Sequence, residues 1–258
     1  MPETTIRLGD AEVKRIGMGS NRLEETPQNV EFVRAAVAAG LAHIDTAYLY
    51  TSGSSERTVG SALDLPRDGL VVATKGGYRQ GEGKPDVLRG QIDESLRRLQ
   101  AGVIDLYYLH RVHPDTPLED SMAVIAEARD AGKIRHVGIS EVGIDQIERA
   151  RAVVPIAAVQ NRYNLAERGH DDVIDHCEAE GLVFVPYFPL RGQDAPAVAE
   201  VAARHGTTTS QIALAWLLHR SPAVLPIPGT LSIGHLRENL AAVEIDLSQA
   251  EVDALGAG

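Results

Sequence analysis

Asp45 and Tyr50 stand five residues apart in HIDTAYLYTSGSSE (43–56), where an apolar run gives way to residues too rich in Ser and Gly to continue a regular element. Lys75 closes the apolar run LVVATK (70–75) and His110 closes DLYYLH (105–110). Ionisable groups at the ends of buried runs suggest proton chemistry. A tyrosine phenol has an ordinary pKa near 10 and is a poor acid at neutral pH, but an adjacent ammonium favours phenolate and lowers that value. In such a quartet Asp45 keeps Lys75 protonated and in place. Tyr50 protonates a carbonyl oxygen as charge develops on it, and His110, neutral or charged, hydrogen-bonds the same oxygen. Reduction of that carbonyl also needs a hydride, which no side chain supplies; a reduced nicotinamide is the usual source. Each residue alone has a plainer reading, as a helix cap or ion-pair partner (Asp45), a strand-end lysine or a core histidine.

The elements that must position these groups are visible as a rhythm. Eight strand-like runs, at 15–19, 42–46, 70–75, 105–110, 135–140, 157–161, 182–188 and 223–228, alternate with amphipathic helical runs. Gly40, Gly132, Gly181 and Gly206 are placed to end helices. The strands are nearly all apolar, as parallel strands covered on both faces are. Eight βα units predict a closed (β/α)8 barrel, and 258 residues lie within the size range of that fold as one domain, here 1–258. TTIRLG and AEVKRIG, joined around Gly9-Asp10, predict an N-terminal β-hairpin capping the barrel bottom. An open doubly wound sheet is disfavoured, because no G-x-G-x-x-G turn follows the first strand. Adjacent parallel strands lie about 4.8 Å apart, so Asp45, Lys75 and His110 on three successive strands can converge, and the loop after Asp45 has only to fold back to add Tyr50.

Composition excludes other classes. Hydrophobic residues make up 44% and charged residues 24%, and the net charge is −11 with no Lys/Arg cluster. That argues against nucleic acid or an anionic membrane as a partner. No apolar run approaches the ~20 residues of a membrane span, and MPETTIRLGD lacks a signal peptide's apolar stretch, so a cytoplasmic location is expected. Cys177, the only cysteine, allows no internal disulfide or cysteine-based metal site and reads as a helix packing residue. The histidines show no metal-ligand spacing, and no metal is expected.

Taken in order, HIDTAYLYTSGSSE, VVATKGG, LYYLHR, GKIRHVGIS, VQNRYN and IPGT with HLRENL resemble the aldo-keto reductase superfamily, from about residue 15 to residue 250. The resemblance implies reversible NADPH-dependent reduction of an aldehyde or ketone by a tetrad of Asp45, Tyr50 as proton donor, Lys75 and His110. It implies NAD(P)H laid across the barrel mouth without a Rossmann fold, its nicotinamide near Asp45 and Tyr50. Ser140 and Gln160 would hold the carboxamide and Tyr187 would stack on the ring. Gly19, Ser20, Asn21 and Arg22 would make cofactor contacts from the first βα loop, and Leu190 and Gly192 would lie over the pyrophosphate. Pro228, Gly229, Thr230, Leu231 and Ser232 lead into a helix whose N-terminal N–H groups suit a phosphate, with His235, Glu238 and Asn239 reaching the 2′-phosphate and adenine.

Departures from the family pattern bear on the cofactor. Gly229 and His235 stand where many members carry a Lys and an Arg aimed at the 2′-phosphate, Glu141 where Asn is usual, and Phe188 where Ser is common. Thr230, Ser232, the helix N-terminus and His235 remain for a phosphate, and similar IPGT-type relatives favour NADP(H). NADPH is therefore expected ahead of NADH, with NADH possible. Tyr48, Tyr78, Arg111 and Phe188, with Met18 and His113, are candidates to line a broad pocket, since the long C-terminal loop of many relatives is lacking. A small carbonyl compound is the expected partner, and Arg111 would attract an anionic or hydroxyl-rich one; the chain is expected to be a monomer or weak homo-oligomer. The alternatives are a cofactor-binding regulatory subunit of the same fold and a Schiff-base aldolase using Lys75, the latter disfavoured because Asp45 keeps the amine protonated.

Overall fold

The computed structural model of the chain describes residues 3–256. Seven parallel strands form one sheet in sequential order: β3 (Met18–Gly19), β4 (His43–Asp45), β5 (Val71–Gly76), β6 (Ile104–Leu109), β7 (Ile134–Ser140), β8 (Ile156–Gln160) and β9 (Val183–Phe184). Helices α1 (Pro27–Ala38), α2 (Ser54–Ala62), α3 (Pro85–Leu99), α4 (Leu118–Asp130), α5 (Ile144–Arg151) and α6 (Asp171–Glu180) fill the six crossovers. The segment 223–229 closes the ring. On one side Phe184 N donates to Ala223 O (2.8 Å) and Leu225 N to Phe184 O (2.9 Å); on the other Gly17 N donates to Pro226 O (3.0 Å) and Gly19 N to Pro228 O (3.2 Å). Pro226 and Pro228 have no N–H to offer, so this eighth position holds through isolated bridges, Phe184 to Val224 and Gly19 to Gly229. The architecture is a (β/α)8 barrel.

Side chains along each strand alternate between the inside of the barrel and the helix layer. Val71 and Ala73 of β5, Leu106 and Tyr108 of β6, Ala158 of β8, Val183 and Val185 around β9, and Leu225 and Ile227 of the closing segment form the inner cluster. Val72, Tyr107, Val159 and Phe184 belong to the outer core against the helices. Leu8 and Val13, from the antiparallel hairpin β1 (Thr5–Leu8) and β2 (Ala11–Lys14), join the inner cluster. The hairpin turn meets the start of β7, where Asp10 N donates to His136 Nε2 (3.2 Å). The hairpin thus plugs the N-terminal end of the strands and leaves the opposite rim open. Arg15, buried just after β2, fastens it by donating to the carbonyls of Leu218, Ser221 and Val224.

Helix bounds follow the local signals. Thr26 caps α1 and Thr208 caps α8 (Thr209–Arg220) through their hydroxyls, while Gly181 (φ 67°) and Gly206 (φ 63°) end α6 and α7 (Pro196–His205) in the left-handed conformation. The regular strands are shorter than the apolar runs: 15–19 shrinks to β3 and 182–188 to β9. After α9 (Ile233–Ala241) a further helix, α10 (Gln249–Gly256), was not foreseen; it docks where Trp216 Nε1 donates to Val252 O (3.2 Å). No helix among the described residues is long and apolar enough to cross a membrane.

Candidate active site

The alternation that packs the barrel also aims its polar residues. Lys75 continues the inward series of Val71 and Ala73, and His110, just beyond β6, continues that of Leu106 and Tyr108. The same parity carries Gln160 inward after Ala158 and Tyr187 after Val183 and Val185. Asp45 and Ser140 end β4 and β7 at the same open rim.

Lys75 and Asp45 are fully buried and joined at 2.6 Å. The ammonium also donates to Thr46 O (2.7 Å), and the second Asp45 oxygen accepts from Gln160 Nε2 (2.8 Å). Burial alone would lower the Lys75 pKa, but Asp45 and then Tyr50 outweigh it and hold the amine above its ordinary value. Lys75 Nζ lies 5.0 Å from the centroid of the Tyr50 ring, and the His110 ring meets that ring edge-on at 6.1 Å. The four residues converge. Burial raises the Tyr50 pKa and outweighs the lysine, which lowers it. This corrects the sequence expectation of a net acidified phenol: the ammonium is already neutralised by Asp45, and desolvation decides the sign. Burial, reinforced by Lys75 and Arg111, keeps His110 well below the ordinary histidine value and therefore neutral at neutral pH.

Tyr50 sits in a strained loop. Thr51 (φ 45°) and Ser52 (φ 54°) occupy the left-handed region that L side chains rarely adopt. Arg98 of α3 clamps this loop: it donates to Tyr48 O (2.9 Å) and covers the Tyr48 ring at 4.3 Å. It also pairs with the fully buried Glu56 (3.2 Å), whose other oxygen accepts from Thr74 Oγ1 (2.6 Å), next to Lys75. Tyr48 therefore faces Arg98 and is absent from the lining of the cavity, correcting its expected place in the substrate pocket.

Above the tetrad opens a cavity of about 780 Å³. Of the expected cofactor contacts, Gly19, Ser20, Asn21, Arg22, Asp45, Ser140, Gln160, Tyr187, Leu190, Gly192 and Gly229 line it, as do Tyr50, His110, Tyr78, Arg111 and Phe188. The Ser20 hydroxyl is spent internally, on Asp45 O (2.8 Å) and the Ser55 hydroxyl (2.7 Å). Thr230 and Leu231 line a small adjoining cleft together with Met18. Pro228 is buried with its carbonyl used in barrel closure. Ser232 caps α9 by accepting from His235 N (3.4 Å); His235 and Glu238 are exposed on that helix and Asn239 is buried, all four outside the cavity. His113 turns its Nε2 to Tyr78 O (2.8 Å). Glu141, at φ 59°, accepts from Arg162 N (2.7 Å). Arg162 and Arg191 were not anticipated, yet both line the cavity, with Arg162 over the Tyr187 ring at 5.6 Å. Arg162 bridges to Tyr187 across the rim and continues the inward parity of Ala158 and Gln160, a signal the sequence did contain. Cys177 is buried in α6 and its thiol is pushed up to about 12 by desolvation, as a packing residue's would be. Among the described residues no three His, Cys, Asp or Glu side chains gather as a metal site would require.

A barrel that collects ionisable groups at the C-terminal rim of its strands belongs, by class, with the barrel enzymes. Known proteins narrow the class. The sequence profile of the Aldo/keto reductase family matches residues 15–194 and 191–257. Pyridoxine 4-dehydrogenase of Escherichia coli (strain K12) is 35% identical over 99% of this chain and 98% of its own length. An uncharacterized oxidoreductase of Schizosaccharomyces pombe is 39% identical over 95% of this chain and 86% of its own. An aldo-keto reductase of Klebsiella pneumoniae, solved in complex with NADPH, superposes with a TM-score of 0.90 at 32% identity, over 100% of this chain and 95% of that one. The chain belongs to the aldo/keto reductase family, and it is an oxidoreductase.

Proposed function

We propose that the protein reduces aldehydes or ketones to alcohols, reversibly, with NADPH as the preferred hydride donor. The observation that carries this reading is the convergence of a phenol, a buried ammonium paired with a carboxylate, and a neutral imidazole at the floor of an open cavity. The cavity suits a dinucleotide: it is large, Tyr187 offers an aromatic face, and Arg22, Arg111, Arg162 and Arg191 line it within a chain of net charge −11. The bound nicotinamide supplies hydride. Ser140 and Gln160 would orient its carboxamide, and Thr230, Ser232 and the N-terminus of α9 would receive a phosphate, as would His235. The NADPH complex of the Klebsiella pneumoniae relative supports the cofactor choice.

On this reading His110 donates a hydrogen bond to the carbonyl oxygen and orients it. Tyr50 gives its proton to the same oxygen as negative charge grows there. Lys75 then stabilises the phenolate that remains, so its field acts where it is needed, on the product side of the proton transfer. Asp45 keeps Lys75 charged throughout. The E. coli relative makes pyridoxal a sensible first substrate to try. The test is Tyr50→Phe: it should bind NADPH as the wild type does, by quenching of protein fluorescence, while carbonyl reduction falls by about 10²–10⁴-fold. Turnover retained within tenfold would refute the assignment of Tyr50.

A further inference from the structure

Two of the cavity's cations pair with no carboxylate among the described residues: the exposed Arg22, which donates to Gly229 O (3.2 Å), and Arg111, which alone of the two is half-buried beside the tetrad. Arg162 and Arg191 share Glu167 at 3.3 and 3.6 Å, and Lys75 is neutralised by Asp45. Arg111, half-buried beside His110, pairs with no carboxylate among the described residues. One of its terminal nitrogens donates to His110 O (2.6 Å) and Ser140 Oγ (3.1 Å); the other reaches the Tyr187 hydroxyl only at 3.5 Å. The guanidinium plane rests near Tyr78 (5.3 Å) and Tyr187 (5.9 Å). A guanidinium has five donors in a fork matched to carboxylate or phosphate; here one arm is spent on His110 O and Ser140 Oγ, while Nε–H and the weakly held second arm keep donors for a ligand. A desolvated cation with no anion is costly unless a ligand brings one.

We propose that Arg111 anchors an anionic group on the substrate, making the enzyme selective for compact aldehydes or ketones that also carry a carboxylate or phosphate. This rests on the carbonyl-reductase reading above, which puts the nicotinamide, the uncharged end of the dinucleotide, against Ser140 and Tyr187; the missing negative charge must then come from the substrate. Compactness follows from two contacts. The Tyr78 ring lies 4.8 Å from the His110 ring and 5.3 Å from the guanidinium, so the groups that would bind the carbonyl oxygen and the anion both lie against one tyrosine ring. A nicotinamide arriving at Ser140 and Tyr187 would take over two of the three partners of Arg111, leaving it held by His110 O with more of its fork released.

The experiment compares matched pairs with saturating NADPH: 4-carboxybenzaldehyde against its methyl ester, and 4-formylphenyl phosphate against 4-methoxybenzaldehyde. The quantity read is the anionic-to-neutral ratio of kcat/KM in wild type, Arg111→Lys and Arg111→Met; intrinsic reactivity cancels when ratios are compared between proteins. One charge-assisted contact predicts a ratio about 10- to 100-fold lower in Arg111→Met, mainly through KM of the anionic member, with Arg111→Lys in between. In wild type alone the ratio should fall severalfold as ionic strength rises from about 0.01 M to about 1 M. The two pairs tell carboxylate from phosphate preference. A ratio unmoved in Arg111→Met overturns the proposal; if that variant does not fold, a wild-type ratio indifferent to salt does the same. Wild-type turnover of the neutral ester that disappears in Tyr50→Phe would leave the reductase reading standing even then.

Discussion

Replacing Asp45 by Asn tests the electrostatic centre of the site through stability alone. In the wild type the Lys75 ammonium is fully buried, 2.6 Å from the carboxylate, and its pKa is held above the ordinary 10.5. A group whose folded pKa is raised contributes stability that is fully present below its unfolded pKa and is lost only as pH climbs through the folded value. Between pH 7 and 10 the wild-type pair is therefore unchanged. In the variant, burial acts on Lys75 without the carboxylate, and the amine either stays charged and unpaired or sheds its proton. Shedding it costs about 1.4 kcal/mol for each unit below 10.5, which is about 5 kcal/mol at pH 7 and about 0.7 kcal/mol at pH 10. Staying charged costs about 3–5 kcal/mol, the usual result of removing one partner of a buried pair. Either route predicts a loss of about 3–5 kcal/mol at pH 7, or a midpoint lowered by about 6–20 °C for a chain of this size. By pH 10 the variant should recover up to about 4 kcal/mol relative to wild type. Guanidinium titrations of both proteins at the two pH values measure the gap, and other titrating groups cancel in the difference. A gap below about 1 kcal/mol at pH 7, or one that does not narrow at pH 10, would show that the pair is not the buried charge pair of this structure.

The pH profile of reduction follows from the two other members. Reduction on the proposed mechanism needs Tyr50 protonated, and its pKa is raised from 10.0 by burial, so kcat/KM should fall only above pH 10; His110, held neutral, should produce no break near pH 6.5. An inflection at pH 6–7 shifted by substitution of His110 would contradict this. Glu56→Gln weakens the clamp behind the Tyr50 loop: Arg98 retains Glu94 at 2.8 Å, so stability should drop by only about 1.5–3 kcal/mol while kcat falls and NADPH affinity stays. Equal losses in both kinetic constants, or none in either, would mean that the loop is held by other contacts.

Much of this was legible because barrels impose regularity. Strand parity and an ordered series of βα units suffice to bring Asp45, Lys75 and His110 to one rim, since Asp45 and Lys75 are the last inward residues of their strands and His110 is the next inward position just beyond β6. The short regular spans of β3 and β9 were not legible: apolar runs mark burial, whereas ladder length depends on which neighbours can donate, and Pro226 and Pro228 cut the donors that residues on both flanks would need. The orientation of Tyr48 was equally hidden. Its neighbour Tyr50 enters the site, and which of two tyrosines two residues apart turns inward is decided by Arg98, fifty residues away along the chain. The sign of the Tyr50 shift was missed for a related reason, because a sequence shows which charges are near but not how much water the fold removes.

Arginine placement in the cavity carries a consequence for how ligands arrive. At long range the chain is a polyanion of net charge −11 and repels a dinucleotide or an acidic aldehyde. Within the rim the sign reverses: Arg22, Arg111, Arg162 and Arg191 stand against Asp45, already paired, and Asp194. Long-range repulsion between exposed charges is screened within about 10 Å at 0.1 M salt, while attraction to a half-buried guanidinium is screened far less. Physiological salt thus removes the barrier to approach and leaves most of the local attraction. Selectivity for anions can then reside in Arg111, the half-buried guanidinium of the cavity that forms no ion pair with a carboxylate among the described residues.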